Sequence, residues 1–312
     1  MRLREHWPAA TPFSNGLRQH LGGAGDAELL SFTGRPPRVV YNFTEMPTEP
    51  FEIYAIRYAH LGHRHAGENF VLADPHEYAS DLDYFVWVLR RGEGDYLVDT
   101  GFAEEAARRR GRELLRSPAE ALRLLGMDPA AVTDVILTHL HYDHAGNLDQ
   151  FPRARFHIQD REVAYATGRS MCHGMLRSPF DLADVLHMVR HVYAGRAVFH
   201  DGDAELVPGL NLYRVGGHSA GLQILRVWTR RGWVVLASDA SHLYAHFQQG
   251  RVFPVVYNVG DMLEGYKLLC RLADSPNHIV PGHDPLVMKH YPAARPDLEG
   301  IIVRLDCAPK EG

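Results

Sequence analysis

Hydrophobic and polar positions alternate through Phe51-Glu52-Ile53-Tyr54-Ala55-Ile56-Arg57-Tyr58, a two-residue period that predicts a strand. Tyr84-Phe85-Val86-Trp87-Val88-Leu89 and Asp95-Tyr96-Leu97-Val98 predict two more. Residues 102–125, rich in Ala, Arg, Glu and Leu, read as helix broken near Ser117-Pro118, where Ser117 and Glu120 supply a capping box for a second helix. Residues 132–137 form a strand. A second half follows: a strand at 155–159, a helix from Asp160, strands at 196–200, 210–215, 222–229 and 232–238, a helix at 259–273 and a strand at 277–280. Within 145–217, Leu182, Val185, Leu186, Val189 and Tyr193 recur at helical spacing and are expected to form one apolar face, preceded by Met171, Cys172, Met175, Leu176 and Phe180. This stretch reads either as core packing or as an insertion near 160–195 that walls an apolar pocket, with methionines giving an adaptable surface. The pattern by itself says mixed α and β.

Residues 1–50 depart from it. They are rich in Gly, Pro and polar residues, and are expected to form an N-terminal arm ahead of a domain over 51–312. Gly22-Gly23-Ala24-Gly25 is no phosphate loop, because no strand feeds it and no Lys-Ser/Thr follows.

Composition narrows the classes. At 46% hydrophobic and 23% charged, the 312 residues carry ample material for a core. The formal net charge of −5 and the absence of a sustained basic stripe argue against nucleic acid as a partner; Arg108-Arg109-Arg110 reads as a solvated helix face. Cys172, Cys270 and Cys307 are odd in number and widely spaced, which fits a reducing compartment rather than a disulfide framework. No run is long enough to span a bilayer and no apolar signal core opens the chain, so a cytoplasmic location and no membrane partner are expected. The oligomeric state is left open.

The candidate chemistry sits in His139-Leu140-His141-Tyr142-Asp143-His144, which follows the apolar Val135-Ile136-Leu137. Four such side chains cannot all point one way on a strand or a helix. A loop leaving a strand can splay His139 and His141 to one side and Asp143 and His144 to the other, which suits two metal ions held close together. With 20 histidines in the chain, a chance cluster is the plain alternative; the Asp-His pair and Gly146 weigh against it. Further candidates stand at the ends of short apolar runs: His218 in Gly216-Gly217-His218-Ser219-Ala220-Gly221, Asp239 after Trp233-Val234-Val235-Leu236-Ala237, and His283 in Pro281-Gly282-His283-Asp284. Imidazole and carboxylate donors without thiolate suit zinc.

The ordered set His-x-His-x-Asp-His, then His, Asp and His, resembles the metallo-β-lactamase superfamily over roughly residues 50–290, and Leu97-Val98-Asp99-Thr100-Gly101 resembles its strand-end Asp. Within the superfamily the chain is most similar to the N-acyl-homoserine-lactone lactonases. The resemblance implies an αββα sandwich. It also implies one metal on His139, His141 and His218, a second on Asp143, His144 and His283, and Asp239 bridging them. Zinc is the first expectation for both ions; manganese, iron or cobalt are the others. Redox di-iron members place Glu where His141 stands, so His141 favours hydrolysis. The implied reaction is attack on an acyl carbon by a hydroxide bridging the metals, with Asp143 or Asp239 returning the proton. Asp99 is expected to accept from a ligand histidine and fix its tautomer.

One departure stands out. The lactonases carry Tyr three residues after the bridging Asp; here that position is His242, with Tyr244 two further on. Either is a candidate to assist the substrate carbonyl. Tyr142 is a candidate wall of the same mouth. His63 and His65 are expected outside the site, and His187 and His191 on the polar face of their helix, solvated. The implied activity is opening of a lactone ring, with N-acyl-homoserine lactones first (quorum quenching). The alternatives are another small lactone, ester or thioester, such as a pyridoxine-derived lactone, or an inactive metal-binding scaffold or sensor.

Overall fold

The structure, a computed structural model, describes residues 49–77, 79–92 and 94–310. The arm expected over 1–50 lies, but for its last two residues, outside them. In chain order the first half holds β1 (Glu52–Leu61), α1 (Ala66–Asn69), β2 (Leu82–Arg91), β3 (Gly94–Val98), α2 (Glu104–Arg110), β4 (Glu113–Leu114), α3 (Pro118–Leu124), β5 (Asp134–Ile136) and β6 (Arg155–Gln159). A helical stretch follows, α4 (Asp160–Ala166), α5 (Gly174–Arg177) and α6 (Leu182–Tyr193). Then come β7 (Ala197–His200), β8 (Ala204–Val207), β9 (Leu210–Arg214), β10 (Gln223–Thr229) and β11 (Gly232–Ser238). The chain ends through α7 (Tyr244–Gln249), α8 (Val259–Leu272), β12 (Ile279–Pro281), α9 (Leu286–His290) and β13 (Ile302–Arg304). Among the described residues no helix is long and apolar enough to cross a membrane.

The strands form two mixed sheets. One runs β13-β1-β2-β3-β5-β6-β7, with β4 also on β1; the other runs β12-β11-β10-β9-β8. Alternation along each strand sorts side chains between layers. From β1, Ile53 and Ala55 enter the core between the sheets with Phe85, Trp87, Leu225, Val227 and Leu236. Tyr54, Ile56 and Tyr58 face the other way, where Ala106, Leu122 and Met188 of α2, α3 and α6 cover the sheet. On the outer face of the second sheet, Ile224, Val235 and Ala237 pack under Met262, Tyr266 and Leu269 of α8. The αββα sandwich is therefore two sheets face to face with helices on both outer surfaces. It also explains why eight successive residues of β2 are buried: both of its faces are covered.

The capping box at α3 is present, Glu120 N donating to Ser117 Oγ (3.2 Å) and Ser117 N to Glu120 Oε2 (3.1 Å). The stretch 160–195 is the crossover between parallel strands β6 and β7. Its longest helix corrects the expected apolar face. Val185 and Met188 of α6 are buried, whereas Leu182, Leu186 and Tyr193 are exposed. Apolar residues surround much of this helix, so period alone does not select the docked side. His191 is also not simply solvated: its ring stacks on Phe156, with centroids 4.6 Å apart.

The docked side of α6 buries Asp184, whose pKa rises from 3.8 to about 7, first through burial and then through Asp181, against the lowering effect of Arg109 and Arg110. The folded chain therefore keeps a proton that the unfolded chain releases, and stability is lost as pH rises from about 4 through 7. Asp184→Asn is expected to raise the melting temperature at pH 8 and to change it little at pH 4; a shift independent of pH would count against a protonated Asp184.

Candidate metal centre

The site lies where strand ends of the two sheets meet. Asp99 follows β3, the His139–His144 loop leaves β5, His218 follows β9, Asp239 follows β11 and His283 follows β12. A sheet-fixed strand end can aim a loop side chain at a shared point. Positive φ at two non-glycine residues, Asp99 (62°) and Ser238 (43°), marks backbone strain beside the cluster.

Surrounding backbone holds the His139–His144 loop. Thr100 N donates to His144 O (2.7 Å), Gly146 N to Gly101 O (2.7 Å) and Tyr142 N to Pro179 O (2.9 Å). Gly146 is required by close approach: a Cβ there would lie 2.7 Å from Gly101 O and 2.9 Å from Tyr142 O. Buried Glu162 ties this loop to the one bearing His218. It accepts from Leu140 N (2.9 Å) and Gly221 N (2.9 Å), and from Ser219 Oγ. Below the cluster Thr138 N and Oγ1 both donate to Asp99 (2.7 and 2.8 Å), and Ser238 Oγ donates to Thr138 Oγ1 (3.0 Å), joining the sheets.

Seven side chains converge, all of them buried. Donor atoms of His139, His141 and His218 lie within 4.8 Å of one another, as do those of Asp143, His144 and His283. Asp239 stands between the two groups. Its Oδ1 lies 2.9 Å from His283 Nε2 and 3.3 Å from His144 Nε2; its Oδ2 lies 3.1 Å from His218 Nε2 and 3.8 Å from His139 Nε2.

The outer ring nitrogens account for this orientation. His144 Nδ1 is 2.8 Å from Asp99 Oδ2, His218 Nδ1 2.7 Å from Val255 O and His283 Nδ1 3.0 Å from Asp83 O. Each of these Nδ1–H groups donates outward, which leaves Nε2 as the nitrogen that faces the centre and would bind a metal. Burial lowers His144 and His283, but Asp239 and Asp143 outweigh it and hold both above the usual histidine pKa, so a cation there would displace a proton. Burial, reinforced by neighbouring rings, holds His139 and His141 well below the usual histidine pKa and so neutral. Burial would raise Asp239, but His242, His283, His144 and His218 outweigh it and keep the carboxylate ionised.

Two observations test the fit to metal. His139 Nε2 and His144 Nε2 are buried without a hydrogen-bond partner. Among the described residues, Asp143 and Asp239 are within ion-pair distance only of histidines, with no Lys or Arg to balance their charge. Orphaned nitrogens around buried carboxylates suit a binuclear cation site.

His242 adjoins these rings, its centroid 4.7 Å from that of His218 and 5.2 Å from that of His283, and one of its ring nitrogens lies within 4.8 Å of donor atoms of His218 and Asp239. It lies against Phe253, ring centroids 3.6 Å apart and planes within 12°, and Nε2 is 3.0 Å from Asp239 Oδ2. Its Nδ1 has no acceptor, so the proton of the neutral ring sits on Nε2 and is donated toward the centre. Tyr244 is elsewhere, a correction to its place among the site candidates. It opens α7 and lines a different cavity with Asp284 and Leu286, its ring near His290. The backbone turn after His242 carries Tyr244 away from the centre. His63 and His65 are exposed and do not line the site cavity.

A cavity of about 250 Å³ opens over Asp143, Asp239, His242 and His283, with Tyr84 and Tyr142 on its wall. Tyr142 is both packed and exposed to this space: its ring stacks on Phe102 and its hydroxyl accepts from Arg112 Nε (3.0 Å). Beside it an apolar slot of about 190 Å³ is lined by Tyr165, Met175, Leu176, Val255 and Tyr257. The crossover thus does supply a wall, through α4 and α5. Glu162, Arg64, Arg112 and Phe253 belong to this region and were not legible in the sequence. Each is a single residue in an ordinary context, brought to the site by tertiary packing.

This architecture and donor set define a class of hydrolase with a paired His/Asp metal site on an αββα frame. The chain belongs to the metallo-beta-lactamase superfamily, whose family model matches residues 80–288. It is 28% identical over 213 residues to the N-acyl homoserine lactonase AiiB of Agrobacterium fabrum, covering 60% of this chain and 77% of that one. Among solved structures, a quorum-quenching N-acyl homoserine lactone lactonase superposes with a TM-score of 0.65 at 25% identity, covering 77% of this chain and 95% of that one. An N-acyl homoserine lactone hydrolase with N-hexanoyl-L-homoserine at its catalytic metal centre gives 0.63 at 25%, covering 76% and 95%.

Glu162 accepts three hydrogen bonds that hold the His141 and His218 loops together. Glu162→Ala is expected to lower unfolding free energy by roughly 3 kcal/mol, since bonds to a charged group contribute most and the donors left behind are buried. Metal content at limiting metal should fall with it. An unchanged denaturation midpoint would remove Glu162 from this role.

Proposed function

We propose that this chain is a binuclear metal-dependent hydrolase that opens a lactone ring, with N-acyl-homoserine lactones the first substrates to test. The observation that carries the reading is Asp239, one oxygen toward each histidine group, beneath a small cavity into which His242 presents an N–H. Relatives at 28% identity that are N-acyl homoserine lactonases support it.

His139, His141 and His218 would hold one ion, Asp143, His144 and His283 the other, and Asp239 both. Two divalent cations there, zinc first by donor chemistry, would supply Lewis acidity and bring water ionisation near neutral pH. The chain's own residues do the rest. Tyr84, Tyr142 and Phe253 wall the cavity, and the apolar slot beside His141 and His218 accommodates a hydrocarbon arm. Burial holds the His242 ring well below the usual histidine pKa, so it acts as a neutral donor toward the oxygen that gains charge as the acyl carbon is attacked. Asp143 accepts no hydrogen bond on Oδ1 among the described residues and is the freer of the two central carboxylates. It is therefore the group to carry a proton to the departing ring oxygen. A scaffold or sensor without turnover would be expected to lack one of these groups, and all are present.

Purified without chelator and supplied with zinc or manganese, the protein should contain two ions per chain and hydrolyse members of a lactone panel. Asp239→Asn should lower the metal content and cut turnover by several orders of magnitude. A stoichiometry of one that His283→Ala leaves unchanged would remove the binuclear reading. Two loaded sites with no turnover on lactones, esters or thioesters would favour a scaffold.

His242→Ala is expected to reduce kcat by about 10²–10³ with both ions retained, the usual effect of losing one such donor. His242→Tyr should restore part of it. Tyr244→Phe should be nearly silent, because that ring lines another cavity. A crippled Tyr244→Phe beside an active His242→Ala would reverse the assignment.

A further inference from the structure

The cavity over the cluster has a basic wall. Arg64, just before α1, and Arg112, between α2 and β4, line the same space as Asp143, Asp239 and His283. Both are half-buried, and both are anchored by part of the guanidinium. Arg64 Nε donates to Asn69 Oδ1 (2.5 Å) and its Nη2 to the Glu68 carbonyl. Arg112 Nε donates to Tyr142 Oη (3.0 Å) and its Nη1 to the Arg110 carbonyl (2.7 Å). These anchors fix each fork and leave an edge over. Among the described residues nothing accepts from Arg64 Nη1 or Arg112 Nη2, and neither arginine makes an ion pair.

The nearby acid does not fill the gap. Glu68 also borders the cavity, but its Oε2 accepts from His65 N (2.7 Å), closing the first turn of α1. Burial lowers the Arg64 guanidinium from its ordinary pKa; the charge of Glu68 opposes this without reversing it, and that of Arg112 adds to it. A purely structural role for Arg112 would be to tie Tyr142 to the turn after α2. That role uses Nε and Nη1 and leaves Nη2 over.

We propose that Arg64 and Arg112 form an anion subsite, so that among lactones and esters the preferred substrate carries a carboxylate or similar oxyanion, which a neutral N-acyl-homoserine lactone lacks, on the arm that lies away from the apolar slot. The inference rests on the hydrolase reading above. Two planar forks with free N–H groups match the paired oxygens of an oxyanion, and partial burial strengthens the contact. The slot beside His141 and His218 takes the hydrocarbon part, so the site spans an acidic arm and an apolar arm across the reacting carbonyl. The anion takes no part in the chemistry. Water adds to the acyl carbon, the acyl C–O bond breaks, one of its protons passes to the departing oxygen and the other to solvent, and a carboxylate and an alcohol result.

The test uses the full-length, metal-loaded protein and matched substrate pairs: γ-lactones and phenyl esters that differ only in carrying a carboxylate or the isosteric primary amide. The expected result is a kcat/KM for the acid at least about tenfold above the amide, falling with salt, because one fixed charge–oxyanion contact is commonly that strong. In Arg112→Met and Arg64→Met this ratio should collapse toward one, and Arg112→Lys should retain part of it. A ratio near one in the wild type, or one that survives loss of both arginines, would overturn the subsite while leaving the hydrolase intact. If neither member is turned over, calorimetry with glutarate and glutarate monoamide decides. Tighter glutarate binding that is lost in the double Arg→Met variant supports the subsite; equal binding, or a preference unaffected by the variant, rejects it.

Discussion

A carboxylate buried between five imidazoles is the constraint around which this molecule is arranged. Asp239 gives one oxygen to His144 and His283 and the other to His139, His218 and His242, with no Lys or Arg near enough to pair with it among the described residues. Taking an ionised group out of water is costly unless donors or cations surround it. Much of the local structure answers that cost. Ser238 adopts a positive φ to turn β11 into the centre, and a Cβ on Gly282 would fall 2.6 Å from the Ser238 carbonyl and 3.0 Å from Asp239 Oδ1. The outward bonds of His144, His218 and His283 aim their inner nitrogens at the centre, where a cation would sit.

Around that centre the rim divides by chemistry. The side bearing His141 and His218 opens on aliphatic and aromatic walls from the β6–β7 crossover and the segment after α7. The side bearing Asp143 and His283 opens on tyrosines and guanidinium groups from the turns after β1 and α2. The metal-facing residues stand just after strand ends, while most of the rim comes from turns and from the β6–β7 crossover with its helices, Tyr84 of β2 being an exception. On the proposed reading, the reaction and the choice of substrate are carried by different parts of the chain.

The frame and the centre were legible in sequence because both leave local signatures. β6 and β11 match their expected bounds, and the His139–His144 loop announces itself within six residues. Other features leave weaker marks. Strand β8 and the C-terminal strand β13 are short, and β13 becomes a strand only by pairing with β1, some 250 residues earlier in the chain. The docked face of α6 is not fixed by periodicity, because its apolar residues are spread around the helix; contact with the sheet selects Val185 and Met188. Tyr244 stands next to the motif in sequence but not in space. Glu162 and the two rim arginines resemble surface residues until the fold closes over them.

The groups facing the centre are drawn from His139 to His283, across both sheets, with Asp239 and His283 among the last of them in the chain. Bringing such distant segments together carries a loop-closure cost that local contacts cannot offset early in folding. The centre is therefore unsuited to act as a nucleus: it exists only once the two sheets have docked and β12 has taken its place beside β11. Ions arriving afterwards would bind the assembled sandwich and not its parts, so their free energy would resist separation of the two sheets as a unit. The donor atoms that serve the proposed chemistry would then also act as a late clasp, leaving the metal-loaded protein harder to open than the bare polypeptide.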